Sequence, residues 1–266
     1  MRLVWLTDIH LNFVPLARRI EFYTAVRNEN PDAILLGGDT GEADTLILYL
    51  GEMERNLRVP IYFVLGNHDF YRGSIAATRD LVTATCAGSN SLHWLPVTGI
   101  VPLVSDTALI GHDSWADVRL GNFFGSDVRL NDYQCIHELT GLSKQACFRE
   151  LNALGDEAAN YLRQRATEVL ASGRNVLLLT HVPPFREACW HEGQISDDNW
   201  LPHFTCKAVG DALIALMREH PDRTMTVLCG HTHGAGTANI LPNLTVYTGG
   251  AEYGAPQVQA VLNLTD

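Results

Sequence analysis

The chain has 266 residues, of which 46% are hydrophobic and 18% charged, with a formal net charge of -11. That length suits one large α/β domain or two small ones, and with so low a charged fraction no long disordered arm is expected. The acidic balance argues against nucleic acid as a partner, yet leaves phosphorylated ligands open, because bound metal ions reverse the field locally.

MRLVWLTDIH begins the chain with one basic residue and then a strand-like run, without the long apolar stretch of a signal peptide. No apolar run approaches the length of a membrane span. Cys86, Cys135, Cys147, Cys189, Cys206 and Cys229 are scattered, with no CxxC pair, and read as reduced thiols. The expectation is a cytoplasmic protein with no membrane partner.

Residues 1–7 form the first predicted strand, ending at Thr7-Asp8-Ile9-His10. Pro15 opens a helix to about Asn28, with Leu16, Ile20, Tyr23 and Val26 on one face. A buried strand over 32–38 ends at Asp39, and a helix runs from about Ala43 to Leu57. The run Ile61 to Leu65 enters Gly66-Asn67-His68-Asp69, and residues 74–86 read as helix. Strands alternating with helices predict βαβ units and a largely parallel sheet.

The pattern then changes. Short strand-like segments at 92–95, 99–104 and 107–111 suit a second sheet or antiparallel additions. Residues 113–140, which mix aromatics with charge, are too long for an ordinary connection and read as a cap or insertion. A helix over about 143–171, with a candidate break at Gly155, precedes the buried strand 175–181. Residues 182–206 form a second long loop. A helix over 207–219 carries Leu213, Leu216 and Met217 on its core face, and the strand 224–230 ends at His231-Thr232-His233. Residues 237–263 read as short antiparallel strands. No repeat or linker divides the chain, so one domain over 1–266 is expected.

Five strands thus end in metal-capable side chains: Asp8 and His10; Asp39; Asn67 and His68; His181; His231 and His233. Imidazole and carboxylate together suit zinc, manganese and iron. In Asp8-x-His10 and His231-x-His233, extended backbone would point both side chains to one face. That list has more members than one tetrahedral ion requires, and seven such side chains suit two ions with one bridging carboxylate. His112-Asp113 also ends a strand-like run but stands outside this pattern.

The ordered series Asp8-x-His10, Gly38-Asp39, Gly66-Asn67-His68-Asp69, His181 and Gly230-His231-x-His233 resembles the calcineurin-like metallophosphoesterases. The blocks stand in that family's order from residue 8 to residue 233. The resemblance implies an α/β fold of two mainly mixed β-sheets packed as a sandwich between helices. It implies two divalent or transition metal ions (manganese, iron, zinc or a mixture), with Asp8, His10 and His233 on the first, Asn67, His181 and His231 on the second, and Asp39 bridging. It implies a metal-dependent phosphoesterase that hydrolyses a phosphate monoester or diester by attack of a metal-bridging hydroxide. His68 would face the leaving group, and Asp69 would orient its imidazole. Substrate contacts are expected from Arg119 and Arg129 in the insertion and His191 in the second loop. The substrate would be a small-molecule, nucleotide or other phosphoester. A silent scaffold of the same fold predicts eroded ligands, which this chain does not show. A nuclease would need a basic groove, for which only Trp115, Phe123, Phe124 and the nearby arginines speak.

Overall fold

The computed structural model describes residues 1–265. In chain order its elements are β1 (Arg2–Leu6), α1 (Leu16–Asn28), β2 (Ala33–Leu36), α2 (Leu46–Leu57), β3 (Ile61–Phe63), α3 (Ile75–Ala87), β4 (Leu92–Trp94), α4 (Leu95–Thr98), β5 (Val101–Val104) and β6 (Thr107–His112). There follow α5 (Asp132–Cys135), α6 (Lys144–Ala171), β7 (Asn175–Thr180), β8 (Trp190–His191), β9 (Gln194–Ile195), α7 (Leu201–Phe204), α8 (Lys207–Glu219), β10 (Met225–Cys229), β11 (Gly236–Leu241), β12 (Leu244–Thr248) and β13 (Ala260–Asn263). None of the described helices is long and apolar enough to cross a membrane.

Two mixed sheets result. One has the order β13-β1-β2-β3-β4, the other β11-β12-β10-β7-β6-β5. Within each, the inner strands run parallel, while β13 in the first and β11 and β5 in the second pair antiparallel at the edges. β4 therefore extends the first sheet in parallel, where its short strand-like segment had suggested a second sheet. β12 likewise runs parallel to β10, although the whole tail read as antiparallel.

The period of two along a strand builds the layers. Val4, Leu6, Ile34 and Leu36 face α1, α2 and α3, and Val176, Leu178 and Val227 face α6 and α8. Between the sheets, Leu3, Trp5, Leu35, Leu109, Leu177, Leu179 and Leu228 meet in one apolar layer. Both faces of the inner strands are buried, which is why they read as unbroken apolar runs.

Several expectations need correction. α1 buries Phe22, Tyr23 and Val26, whereas Leu16 and Ile20 are exposed. The helix is turned so that Arg19 pairs with Glu52 and donates to the Val14 carbonyl. α6 runs unbroken through Gly155, its first half packed on the first sheet's core and its second half on the second's. In the 113–140 segment, Trp115, Val118, Phe123, Ile136 and Leu139 are buried in the first core. The loop 182–206 carries the β8–β9 hairpin and α7 over a small apolar cluster of Cys189, Leu201 and Phe204.

Candidate metal centre

The metal-capable residues sit just beyond the C-terminal ends of β1, β2 and β3 in one sheet and β7 and β10 in the other, where parallel sheets place ligand sites. The way they converge differs from the strand-alternation argument. β1 ends at Leu6, and Asp8 and His10 both adopt left-handed backbone, with φ of 51° and 38°. Asp39, His231 and His233 do the same, at 53°, 71° and 58°. A left-handed residue costs an L-amino acid on the order of 1 kcal/mol, and such conformations gather at functional sites. The surrounding hydrogen bonds hold them: the Asp8 N–H donates to the Gly38 carbonyl at 3.0 Å, that of His10 to the Asp39 carbonyl at 2.9 Å, and that of His231 to Asp8 Oδ1 at 2.9 Å. That last bond ties the two sheets together.

Asp8, His10, Asp39 and His233 present donor atoms that all lie within 4.8 Å of one another. His10 Nε2 and His233 Nε2 stand 3.1 Å apart, and His233 Nε2 lies 3.5 Å from Asp8 Oδ1. A second group forms around Asn67 Oδ1, which is 3.0 Å from His181 Nε2 and 2.9 Å from His231 Nδ1. Asp39 reaches both groups, its Oδ2 3.7 Å from His10 Nε2 and its Oδ1 3.5 Å from His181 Nε2. The seven residues come together as their sequence positions suggested. Gly66 must lack a side chain here: a Cβ would stand 2.1 Å from Asp39 Oδ1 and 2.6 Å from the Asp39 backbone nitrogen.

The tautomers follow from the partners. The far nitrogens of His181 and His231 contact the carbonyls of Gly37 and His203 at 2.8 and 2.9 Å. A carbonyl only accepts, so those nitrogens carry the protons and, in the neutral rings, the near nitrogens present lone pairs. Burial pushes His231 down to about 4, so a second ring proton is absent at neutral pH. The Asn67 amide is turned by its own contacts: Nδ2 donates to Asp132 Oδ1 at 2.8 Å, leaving Oδ1 toward the imidazoles. Three lone-pair acceptors therefore face one another, an arrangement that a cation satisfies and a hydrogen-bond network does not. The donor set, imidazole with carboxylate and amide oxygen, fits a divalent transition metal.

Charge follows the same logic. Burial alone would raise the Asp8 carboxyl, but the hydrogen bond from His233 and the neighbouring imidazoles hold it below the usual carboxylate range. Burial, with Asp8 and Asp69 nearby, pushes Asp39 well above that range. Burial and the neighbouring His68 bring His10 down to about 2. These are the protein's own fields, which a bound cation opposes.

A cleft of about 250 Å³ opens onto the cluster. Its walls carry His68, Tyr71, Leu130, Asn131, Asp132, His191, Phe204 and Tyr253 together with the metal-side residues, and no Lys or Arg among the described residues. His68 stacks on Tyr71 with ring centres 4.2 Å apart, and its Nδ1 is buried with no hydrogen-bond partner among the described residues. Burial lowers His68 to about 4, against a pull upward from Asp132. His191 lines the cleft, its Nδ1 3.0 Å from the Thr232 carbonyl.

Three expected site residues are placed elsewhere. Asp69 does not orient the His68 imidazole: its carboxylate accepts from the backbone N–H groups of Thr40, Gly41 and Gly66, each at 2.9 Å. It is a clamp joining the β2 and β3 loops. Arg119 is paired with Asp117 at 3.1 Å and Asp156 at 2.7 Å and lies against α6, away from the cleft. Arg129 is exposed and lines a separate hollow with Tyr133 and Lys144. Lys207 is paired with Asp211. Trp115 and Phe123 are core residues, leaving Phe124 as the exposed aromatic of the three that spoke for a nuclease. Asp113, buried, accepts from the Leu65 N–H at 2.7 Å and Trp94 Nε1 at 2.9 Å, a support for the β3 loop.

Several cleft residues escaped the sequence reading, Asp132 and Tyr253 among them. Asp132, 7% exposed, accepts from Asn67 and from the Tyr71 hydroxyl at 2.6 Å. Tyr253 lies over His10, with centroids 4.6 Å apart, and 5.1 Å from His233. Neither follows an apolar strand, the signal that marked the other residues.

The chain matches the calcineurin-like phosphoesterase family over residues 1–235 and belongs to it. Solved structures share the fold. Phosphopantetheinyl hydrolase from Mycobacterium tuberculosis superposes with a TM-score of 0.62 at 14% identity, covering 95% of this chain and 89% of that one. A dimetal phosphatase from Danio rerio gives 0.60 at 14% identity, covering 96% and 89%. Among curated proteins, a transmembrane protein with metallophosphoesterase domain from Danio rerio is 31% identical over 99 residues, 35% of this chain and 22% of that protein.

Proposed function

We propose that this chain is a dinuclear metal-dependent phosphoesterase, acting on a phosphate monoester or diester within one domain of residues 1–266. Asp8, His10 and His233 would hold one ion, Asn67, His181 and His231 the other, with Asp39 shared. The observation that carries the reading is the convergence of lone pairs on Asn67 Oδ1 beside the Asp8–His10–His233 group, with Asp39 reaching both. Two such ions supply a nucleophile from water near neutral pH and neutralise phosphoryl oxygens.

The chain's own groups do the rest. The Gly37 and His203 carbonyls fix which imidazole nitrogens point inward. Asp39 Oδ1 accepts from the His68 N–H at 2.9 Å, which ties the carboxylate that both ions would share to the start of the His68 turn. His68, on the cleft wall, is placed to donate a hydrogen bond or a proton to the departing oxygen. The 113–140 segment contributes Leu130, Asn131 and Asp132 to that wall, and we assign it the choice of substrate through these residues in place of its arginines.

Elemental analysis of protein purified without chelator tests the dinuclear reading. Two transition metals per chain are expected, with Asp39→Asn weakening both sites. A single ion after reconstitution with manganese overturns it. His68→Ala should retain the metals and lose about 10²–10⁴-fold on alkyl esters, less on p-nitrophenyl esters, because nitrophenolate departs without a proton. Equal losses on both would make His68 a stabiliser of transition-state charge.

A further inference from the structure

We infer that the 113–140 segment positions the ligands of the second metal site and leaves the first site alone, with Tyr133 and Ser126 as positioning residues for His231. The inference deepens the dinuclear reading and rests on it. All three residues assigned to the second ion are tied to this segment. Asn67 Nδ2 donates to Asp132 Oδ1 at 2.8 Å, and the His181 N–H donates to the Asp113 carbonyl at 3.2 Å. His231 is reached through His203, whose carbonyl stands 2.9 Å from His231 Nε2. Asp8, His10 and His233 make no hydrogen bond, ion pair or ring contact with residues 113–140 among the described residues.

His203 lies in α7, a turn of four residues with little stability of its own. Its carbonyl falls at the end of that helix, where main-chain acceptors lack helical partners. What fixes it is the buried His203 ring. Ser126 Oγ gives its proton to the Asn199 carbonyl at 2.8 Å, so it accepts from His203 Nε2 at 3.1 Å. In the neutral ring, Nδ1 then carries the lone pair and accepts from the Tyr133 hydroxyl at 2.6 Å. With both nitrogens held, the His203 carbonyl is aimed at His231 and keeps a proton on Nε2, so Nδ1 turns its lone pair toward the site. Removing either anchor frees the turn to shift. Without that carbonyl, His231 can take the other tautomer, whose Nδ1–H donates to Asn67 Oδ1 and occupies the place of the cation. Asp132 and Tyr133 are consecutive in α5, so one turn of the segment serves two ligands.

The test is manganese titration of metal-free, full-length protein by calorimetry, with no substrate present. His10→Ala and His231→Ala identify the first-site and second-site steps. Tyr133→Phe, which removes one hydroxyl and keeps the ring, should weaken the second-site step by about tenfold or more and leave the first unchanged. Ser126→Ala should do the same. Unchanged second-site affinity in both variants overturns the inference, and if stability in urea falls at the same time, the two residues have a packing role only. An equal loss at both sites, or a loss confined to the first, also overturns it. In each of those cases two ions still bind and the dinuclear reading stands. Uptake of a single ion by the parent overturns that reading, and the inference with it.

Discussion

His181 and His231 illustrate how a buried histidine acquires a role before any ion arrives. Each turns one ring nitrogen to a main-chain carbonyl, so in the neutral ring that nitrogen carries the proton and the other presents the lone pair. Asp69 shows the converse, an acidic residue in the site motif whose work is structural. Its carboxylate collects three backbone N–H groups, and although burial lifts it to about 6, those bonds keep it ionised near neutral pH. Asp69→Ala would leave three buried donors unpaired and should lower stability by on the order of 3 kcal/mol or more, measured by denaturant unfolding. The pH profile of the surviving activity should keep its shape; a shifted profile would restore Asp69 as the partner of His68. His112 carries a second residue-level prediction. Burial, with Arg79 nearby, depresses it to about 3, while in the unfolded chain it titrates near ~6.5. Between those values the unfolded state binds the extra proton, so the neutral ring's contribution is present above about 6.5 and is lost as pH falls toward 3. In metal-free protein, the stability difference between parent and His112→Leu should therefore shrink from pH 7 to pH 4. A constant gap would refute it.

α6 is the element on which both layers of helices depend, and Gly155 marks where it passes from one core to the other. Helix propensity alone favours Ala over Gly by about 1 kcal/mol. A Cβ at Gly155, however, would meet the Asp117 Cβ at 2.5 Å, and Asp117 is pinned from the other side by the Ala208 N–H at 2.8 Å. Gly155→Ala should thus destabilise by about 1–3 kcal/mol against its propensity, seen as a lower melting temperature with the helical content unchanged. A rise in melting temperature would mean that the 113–120 backbone yields without penalty. The glycine read in the sequence as a possible helix break is instead the place where the 113–140 segment can press onto the helix.

The whole molecule is two sheets whose functional edge is common to both. The candidate ligands come from β1, β2 and β3 on one side and β7 and β10 on the other, and the bond from His231 to Asp8 crosses between them. Ions bound there would clamp the sheets at that edge and stabilise by mass action, about 2.7 kcal/mol for each site at a hundredfold excess over its Kd. Chelation should lower the melting temperature by several degrees, and Asp39→Asn should remove most of that response. Equal melting temperatures with and without chelator would contradict the clamp.

The sequence by itself determined the layered α/β plan and the identity of the seven clustered residues. Strands buried on both faces leave unbroken apolar runs, and a polar residue straight after such a run is visible without any knowledge of its neighbours. Tertiary structure alone decided how those residues converge, because the left-handed turns at Asp8, His10, Asp39, His231 and His233 are held by hydrogen bonds from distant loops. It also decided what Asp69, Arg119 and Arg129 do. A carboxylate's or guanidinium's task is set by whichever partner lies within hydrogen-bond reach, and for Asp69 and Arg119 those partners include backbone or carboxylate groups about 30 or more residues away. Asp132 entered the cleft the same way, through an amide 65 residues earlier in the chain, a proximity that no local pattern encodes.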